Sequence, residues 1–230
     1  MVWGMARPRI HDPELILDTA ERLVAGSGPD GVTIRGLAAA TGMSNGAIYH
    51  SFGSLPTLLG RVWLRAANDF LDLQSTLVEQ ALNTGGQPAT AVVAAADAPA
   101  VFALRRPAAA RMLMGVRREQ LLGPDLPDQL AADLFALDRR LLALLSQLAR
   151  GMWDRADAAA VAVITLCVVD LPTAAFRRSL IAPAADESIS AATPIDPDSR
   201  QRLEAAVRAV LTIPPPGHPC RRSSIPTTKD

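Results

Sequence analysis

From Pro13 onward the apolar positions recur with helical spacing. In PELILDTAERLVAGSG, residues Ile16, Ala20, Leu23 and Val24 fall at i, i+4, i+7 and i+8 on one face. Asp12 suits the N-cap, Pro13 the first helical position, and Gly26 stands near the end. A second helical pattern opens behind Thr33, a capping residue, with Ile34, Leu37 and Ala38 to one side, and stops at Thr41-Gly42. A third opens behind Ser44. There Ile48 and Phe52 lie four apart on one face, Asn45, Gly46, Tyr49 and His50 lie on the other, and Gly53-Ser54 ends the pattern.

The remaining pattern predicts longer helices. Ser54 caps one that runs to about Asn83, with Leu58, Val62, Trp63, Ala66 and Phe70 as its inner stripe. Pro56 is tolerated near its start because first-turn N–H groups have no intrahelical acceptor. Segments 88–105, 107–121, 127–151 and 154–181 follow, separated by Arg106-Pro107, by GPDLP, and by Gly151 with Asp154. The segment 154–181 is apolar on nearly all sides through Val161, Ile164, Leu166, Val168, Leu171 and Phe176, so it needs cover on both faces. Pro172 should kink it or interrupt its hydrogen bonding. Residues 182–197 read as a flexible loop, and a last helix over 198–212 places Leu203, Ala206, Val207, Val210 and Leu211 on one stripe. From 213 to 230 the chain reads as a disordered tail.

Composition narrows the class. About half the residues are hydrophobic, yet only 4% are aromatic, which favours closely packed helices over a sandwich or barrel. The fold class is therefore all-α. Basic and acidic residues balance at 23 each, so any nucleic-acid binding must come from local placement. Cys167 lies in an apolar run and Cys220 in a Pro-rich stretch, which predicts no disulfide and fits a reducing cytoplasm. The opening MVWGMARPRI lacks a secretory apolar core, and Met5 is a plausible alternative start. The most apolar run, Ala158 to Val169 between Asp157 and Asp170, is shorter than the roughly 20 residues needed to span a bilayer, which predicts a soluble protein without a membrane partner.

The chemistry concentrates between Thr33 and Phe52. Two short helices joined by a glycine turn, the second exposing small and polar residues, match a helix-turn-helix. Gly46 and Ala47 lack bulk and allow close approach to base edges, and the Asn45 amide can pair with an adenine edge. Tyr49, His50 and Thr33 can reach phosphates. The order Thr33-x-Arg35-x-Leu37-Ala38, then Gly42-Met43-Ser44-x-Gly46-Ala47-Ile48-Tyr49-x-x-Phe52, resembles the TetR family of transcriptional regulators. The motif match covers about residues 13 to 60.

That resemblance implies a three-helix DNA-binding domain over 10–53 and a helical ligand-binding and dimerisation domain over 54–212, about nine helices in all. It implies a homodimer joined through helices 154–181 and 198–212. It also implies a repressor released from a palindromic double-stranded operator by a small, largely apolar effector. The DNA-binding residues would be Arg7, Arg9, Thr33, Arg35, Ser44, Asn45, Gly46, Ala47, Tyr49 and His50. The effector walls would draw on Trp63, Phe70, Phe102, Met112, Met114, Phe135, Met152 and Trp153. Two positions depart from the family pattern: Ser51 replaces a phosphate-contacting His, and Leu55-Pro56 replaces a Lys-Glu pair. No Gly-rich phosphate loop or metal-ligand cluster is present in the sequence, and Cys167 has no visible His partner, so neither catalysis nor a cofactor or metal is expected. The alternative from another class is a helical small-molecule or protein-binding module with little DNA affinity. It rests on the acids Asp12, Glu14, Asp18, Glu21 and Asp30 that offset Arg7, Arg9, Arg22 and Arg35.

Overall fold

A computed structural model of the chain describes residues 12–121, 126–181 and 195–217. Among the described residues every element is helical. Helix α1 spans Pro13–Ser27, α2 Ile34–Thr41 and α3 Asn45–Phe52, with a 3₁₀ turn at Pro29–Gly31. Then follow α4 (Leu55–Asn83), α5 (Pro88–Arg105), α6 (Pro107–Gly115), α7 (Arg118–Leu121), α8 (Asp128–Trp153), α9 (Ala158–Thr165), α10 (Leu171–Ile181) and α11 (Pro197–Leu211).

The N-terminal starts follow the sequence reading because the capping atoms are local. Asp12 accepts the Glu14 N–H at 3.0 Å, and Ser54 accepts that of Thr57 at 3.2 Å. Helix α4 is about 43 Å long at ~1.5 Å per residue, so one rigid element serves both the N-terminal head and the bundle behind it. Its buried face runs through Leu58, Val62, Ala66, Leu71 and Val78, and α1, α3, α5, α6 and α8 all pack on it.

Helix α5 carries Pro99 in its interior. Proline has no N–H, so the Ala95 carbonyl one turn earlier loses its helical donor. The Gln74 Nε2 of α4 donates to that carbonyl at 2.9 Å, with Gln74 only 1% exposed. A buried amide in an apolar interface is thus explained by a proline on the facing helix.

Three boundaries differ from the expected ones. The segment 107–121 is not one helix: it stops at Gly115, Val116 is extended, and the Arg117 N–H is taken by the Gln120 side chain at the start of α7. Helix α8 continues past Gly151 to Trp153. Asp154 does not open the next helix but ends α8 in a left-handed conformation (φ 52°) that aspartate tolerates better than most residues. Asp157 is the cap of α9, its Oδ1 accepting from Ala159 and Ala160 at 3.0 and 3.2 Å. These bonds and the Arg155 guanidinium, the larger influence, hold its carboxyl well below the usual range.

Between α9 and α10 the chain stays helical but widens into a π-helical turn over Leu166–Asp170, immediately ahead of Pro172. Such a turn accommodates the missing N–H without breaking the rod. The rod therefore runs on past Asp170. By length and composition both Ala158–Leu180 and Pro88–Arg105 are long and apolar enough to cross a membrane. In the bundle α5 packs against α4, α6, α10 and α11. Cys167 is buried in the turn, which pushes its thiol up to about 11 and suits packing rather than reactivity.

After α11 the chain does not immediately become a free tail. Pro215 is buried, and the Arg155 guanidinium donates to the Pro216 carbonyl at 3.1 Å. The rest of the expected tail, 218–230, and most of the expected loop, 182–194, lie outside the described residues.

Gln74→Leu should destabilise the fold by about 1 to 3 kcal/mol by orphaning the Ala95 carbonyl. In a Pro99→Ala background, where residue 99 supplies its own N–H, the same change should cost clearly less. Urea denaturation of the four proteins measures the difference.

Candidate functional site

The head is built from two capped helices set at an angle by a glycine. Thr33 Oγ1 accepts the Gly36 N–H at 3.0 Å and starts α2. Gly42 closes α2 in the left-handed region (φ 71°, ψ 12°), its N–H returning to the Ala38 carbonyl at 2.9 Å. Ser44 Oγ then accepts the Ala47 N–H at 3.2 Å and starts α3. Leu37 and Ile48 are wholly buried and Phe52 nearly so, which pins both helices to α1 and α4.

The opposite faces remain open. Thr33, Arg35, Ser44, Asn45, Gly46, Tyr49 and His50 are exposed, Tyr49 by 52%, so the structure brings these seven to the surface of one helix pair. Ala47 is half-buried, and the hydroxyls of Thr33 and Ser44 already act as caps. Arg7 and Arg9 lie outside the described residues. Ser51 turns its hydroxyl back to the Ala47 carbonyl at 3.0 Å, so it offers no outward donor in place of a histidine.

Residues 16–62 match the model of the family described as bacterial regulatory proteins, tetR family. The N-terminal domain belongs to the TetR family. Most of the chain also superposes on solved structures of bacterial regulators. One is a bacterial regulatory protein of the tetR family from Rhodococcus RHA1, at TM-score 0.60 and 18% identity, with 87% of this chain and 95% of that one covered. Another is the TetR family transcriptional regulator PfmR from Thermus thermophilus, at TM-score 0.59 and 20% identity, with 86% and 97% covered. A third is the fatty acid degradation regulator FadR from Bacillus halodurans, at TM-score 0.57 and 14% identity, with 87% and 96% covered. At these identities the likeness is one of fold. Comparison with curated proteins gives no match. The chain thus joins a TetR-family DNA-binding segment at 16–62 to a fold shared with TetR-family regulators.

Two features of this TetR-type head escape a sequence reading. Arg61, on α4, is exposed and stacks its guanidinium over the Phe52 ring, 5.7 Å from the centroid. The two are nine positions apart, and no helical spacing signals the contact. The acids of α1 are engaged from behind the head: Glu14, Asp18 and Glu21 all pair with Arg65 of α4, and Glu21 also with Arg106. Arg35 makes no ion pair among the described residues, which leaves it available at the open face.

Behind the head the suggested effector walls are only partly assembled. Phe70 and Phe102 meet edge to face across α4 and α5, centroids 5.5 Å apart. Met112 is fully buried, and Trp63, Met114, Met152 and Trp153 are half-buried against the same core. Phe135 is not brought to them. It is 63% exposed, because on α8 it falls off the buried stripe of Leu130, Leu134, Leu137 and Leu144. Gln74, which the sequence reading passed over, shares the Trp63–Phe70 face of α4 and was hidden because its role depends on Pro99 in another helix. Among the described residues no group of three His, Cys, Asp or Glu is placed to hold a metal.

Gly42→Ala should lower stability by about 1 to 2 kcal/mol through backbone strain alone, since an added Cβ there meets no atom within 4 Å. Gly42→Asn should cost less. Thermal melts of the two variants check the order.

Proposed function

We propose that the protein is a dimeric repressor that reads a palindromic operator through α3 and is released by a small, largely apolar effector. The observation that carries this reading is the outward face of α3 and its approach: Asn45, Gly46, Tyr49, His50 and Arg35 are exposed on a capped, glycine-hinged helix pair within the 16–62 family match. In this reading residues 10–53 form the reading head, and 54–212 bind effector and dimerise. Asn45 reads a base edge, Gly46 and Ala47 allow close approach, and Arg35, Tyr49, His50 and Thr33 hold phosphates, with Ser44 setting the start of the recognition helix. Arg7 and Arg9 supply a basic arm. Two such heads reach successive major grooves roughly 34 to 36 Å apart.

Dimerisation is supported by the rod Ala158–Leu180, whose most apolar stretch has only about a third of its residues buried in the single chain. Ala158, Ala162 and Leu166, at i, i+4 and i+8, form its exposed stripe. A second copy covers that stripe by a twofold contact, with α11 alongside. The effector enters between α4 and α5, where the Phe70–Phe102 pair offers an apolar, aromatic wall. The protein acts in the cytoplasm on double-stranded DNA, with no catalytic step. The alternative of a binding module with little DNA affinity drew on Asp12, Glu14, Asp18, Glu21 and Asp30; three of these, Glu14, Asp18 and Glu21, face Arg65, and Glu21 also Arg106, which favours the DNA reading.

A gel shift with DNA upstream of its own gene should show sequence-selective, salt-sensitive binding, and its absence from all neighbouring promoters would defeat the reading. Asn45→Ala should relax preference at one base position by about 1 to 3 kcal/mol, while Tyr49→Phe should weaken all sequences alike. Ala162→Arg should convert a particle of twice the 24.3 kDa chain mass into a monomer in sedimentation runs.

A further inference from the structure

A carboxylate with no part in any helix cap is buried where the head meets the bundle. Glu21 of α1 is 5% exposed. Its carboxylate accepts from Arg106 Nη2 at 2.9 and 3.2 Å and from Arg65 Nη2 at 3.2 Å. Burying a charge is tolerated only with partners, and such a charge fixes geometry more than it adds stability. Its two partners belong to different elements: Arg65 to α4, and Arg106 to the break between α5 and α6.

Arg106 occupies a singular place. It ends α5 and precedes α6 with a non-helical backbone (φ −136°, ψ 69°), but its side chain caps neither helix. It crosses instead to Glu21 and to Asp69, the latter at 2.6 Å. One turn back, the Phe102 carbonyl accepts the Arg106 N–H at 2.7 Å, and Phe102 meets Phe70, the neighbour of Asp69, edge to face. The aromatic pair and the ion pair thus span the same crossing of α4 and α5. Any shift of Phe102 against Phe70 moves Arg106 against Asp69 and Glu21.

We propose that Arg106 and Glu21 are positioning residues for DNA reading: a clamp through which the α5–α6 break sets the orientation of α1 and so of the head. The proposal rests on the regulator reading above. It makes the Phe70–Phe102 crossing and the head two ends of one lever, with no side chain of the clamp touching DNA.

The test uses the full chain, a labelled duplex from upstream of its own gene, and the variants Arg106→Gln, Glu21→Gln, Arg106→Lys and Arg140→Gln. Arg140 makes a comparable bridge, to Asn68 and Asp72 of α4, that does not reach α1. Arg106→Gln and Glu21→Gln should each weaken DNA binding about tenfold, and their double variant should be little worse than either, as members of one clamp. Arg106→Lys should stay within about threefold and Arg140→Gln should match the wild type. Thermal midpoints are read in parallel. A lowered midpoint with unchanged affinity, or an equal loss in Arg140→Gln, overturns the positioning role. If the wild type itself binds no DNA selectively, the regulator reading fails first. Amide exchange across 34–52 then decides the clamp: faster exchange in Arg106→Gln confined to the head sustains it, and unchanged exchange removes it.

Discussion

One apolar stripe on α4 holds the molecule together. Leu58, Val62, Ala66, Leu71 and Val78 are buried along a single helix whose N-terminal third packs the head and whose remainder packs the bundle. Because a helix of this length is stiff, the head cannot tilt without either moving α4 or slipping against it. The cluster of buried residues accordingly runs unbroken from Ile16 to Leu211. No gap in the core separates the head from the bundle among the described residues.

Against that continuous apolar background, the polar groups that are buried carry specific information. Gln74 is held by the carbonyl that Pro99 frees, so the amide fixes the register of α4 against α5. Glu21 is held by two arginines, so the carboxylate fixes α1 against α4 and the α5–α6 break. Misregister at either place would strand a polar atom away from water, at a penalty larger than a lost apolar contact of similar size. Such pairs specify one arrangement where alanine-rich surfaces alone would permit several. Arg35, by comparison, makes no ion pair among the described residues and is left at the open face of α2 and α3.

Much of the head was legible because its determinants are local. Thr33, Ser44 and Ser54 cap helices a few atoms away, and Gly42 supplies a left-handed turn at its own position. The spacing of Ile48 and Phe52 decides by itself which side of α3 faces outward. The bundle was less legible. Phe135 looks like a wall residue by type and lies on the surface, because an aromatic ring carries no record of which stripe its helix buries. Asp154 and Asp157 are equally good caps on paper, and the closure of α8 in a left-handed turn assigned one to an end and the other to a start.

The sequence by itself determined the helical class, the order and caps of the first four helices, and the outward residues of α3, since each follows from periodicity or from hydrogen bonds within a turn. Only the tertiary structure decided that Gln74 answers Pro99, that Arg61 covers Phe52, and that Arg106 and Arg65 converge on Glu21. Those contacts join residues 9 to 85 positions apart, and their energy depends on distance and burial, which the linear order of a chain does not contain.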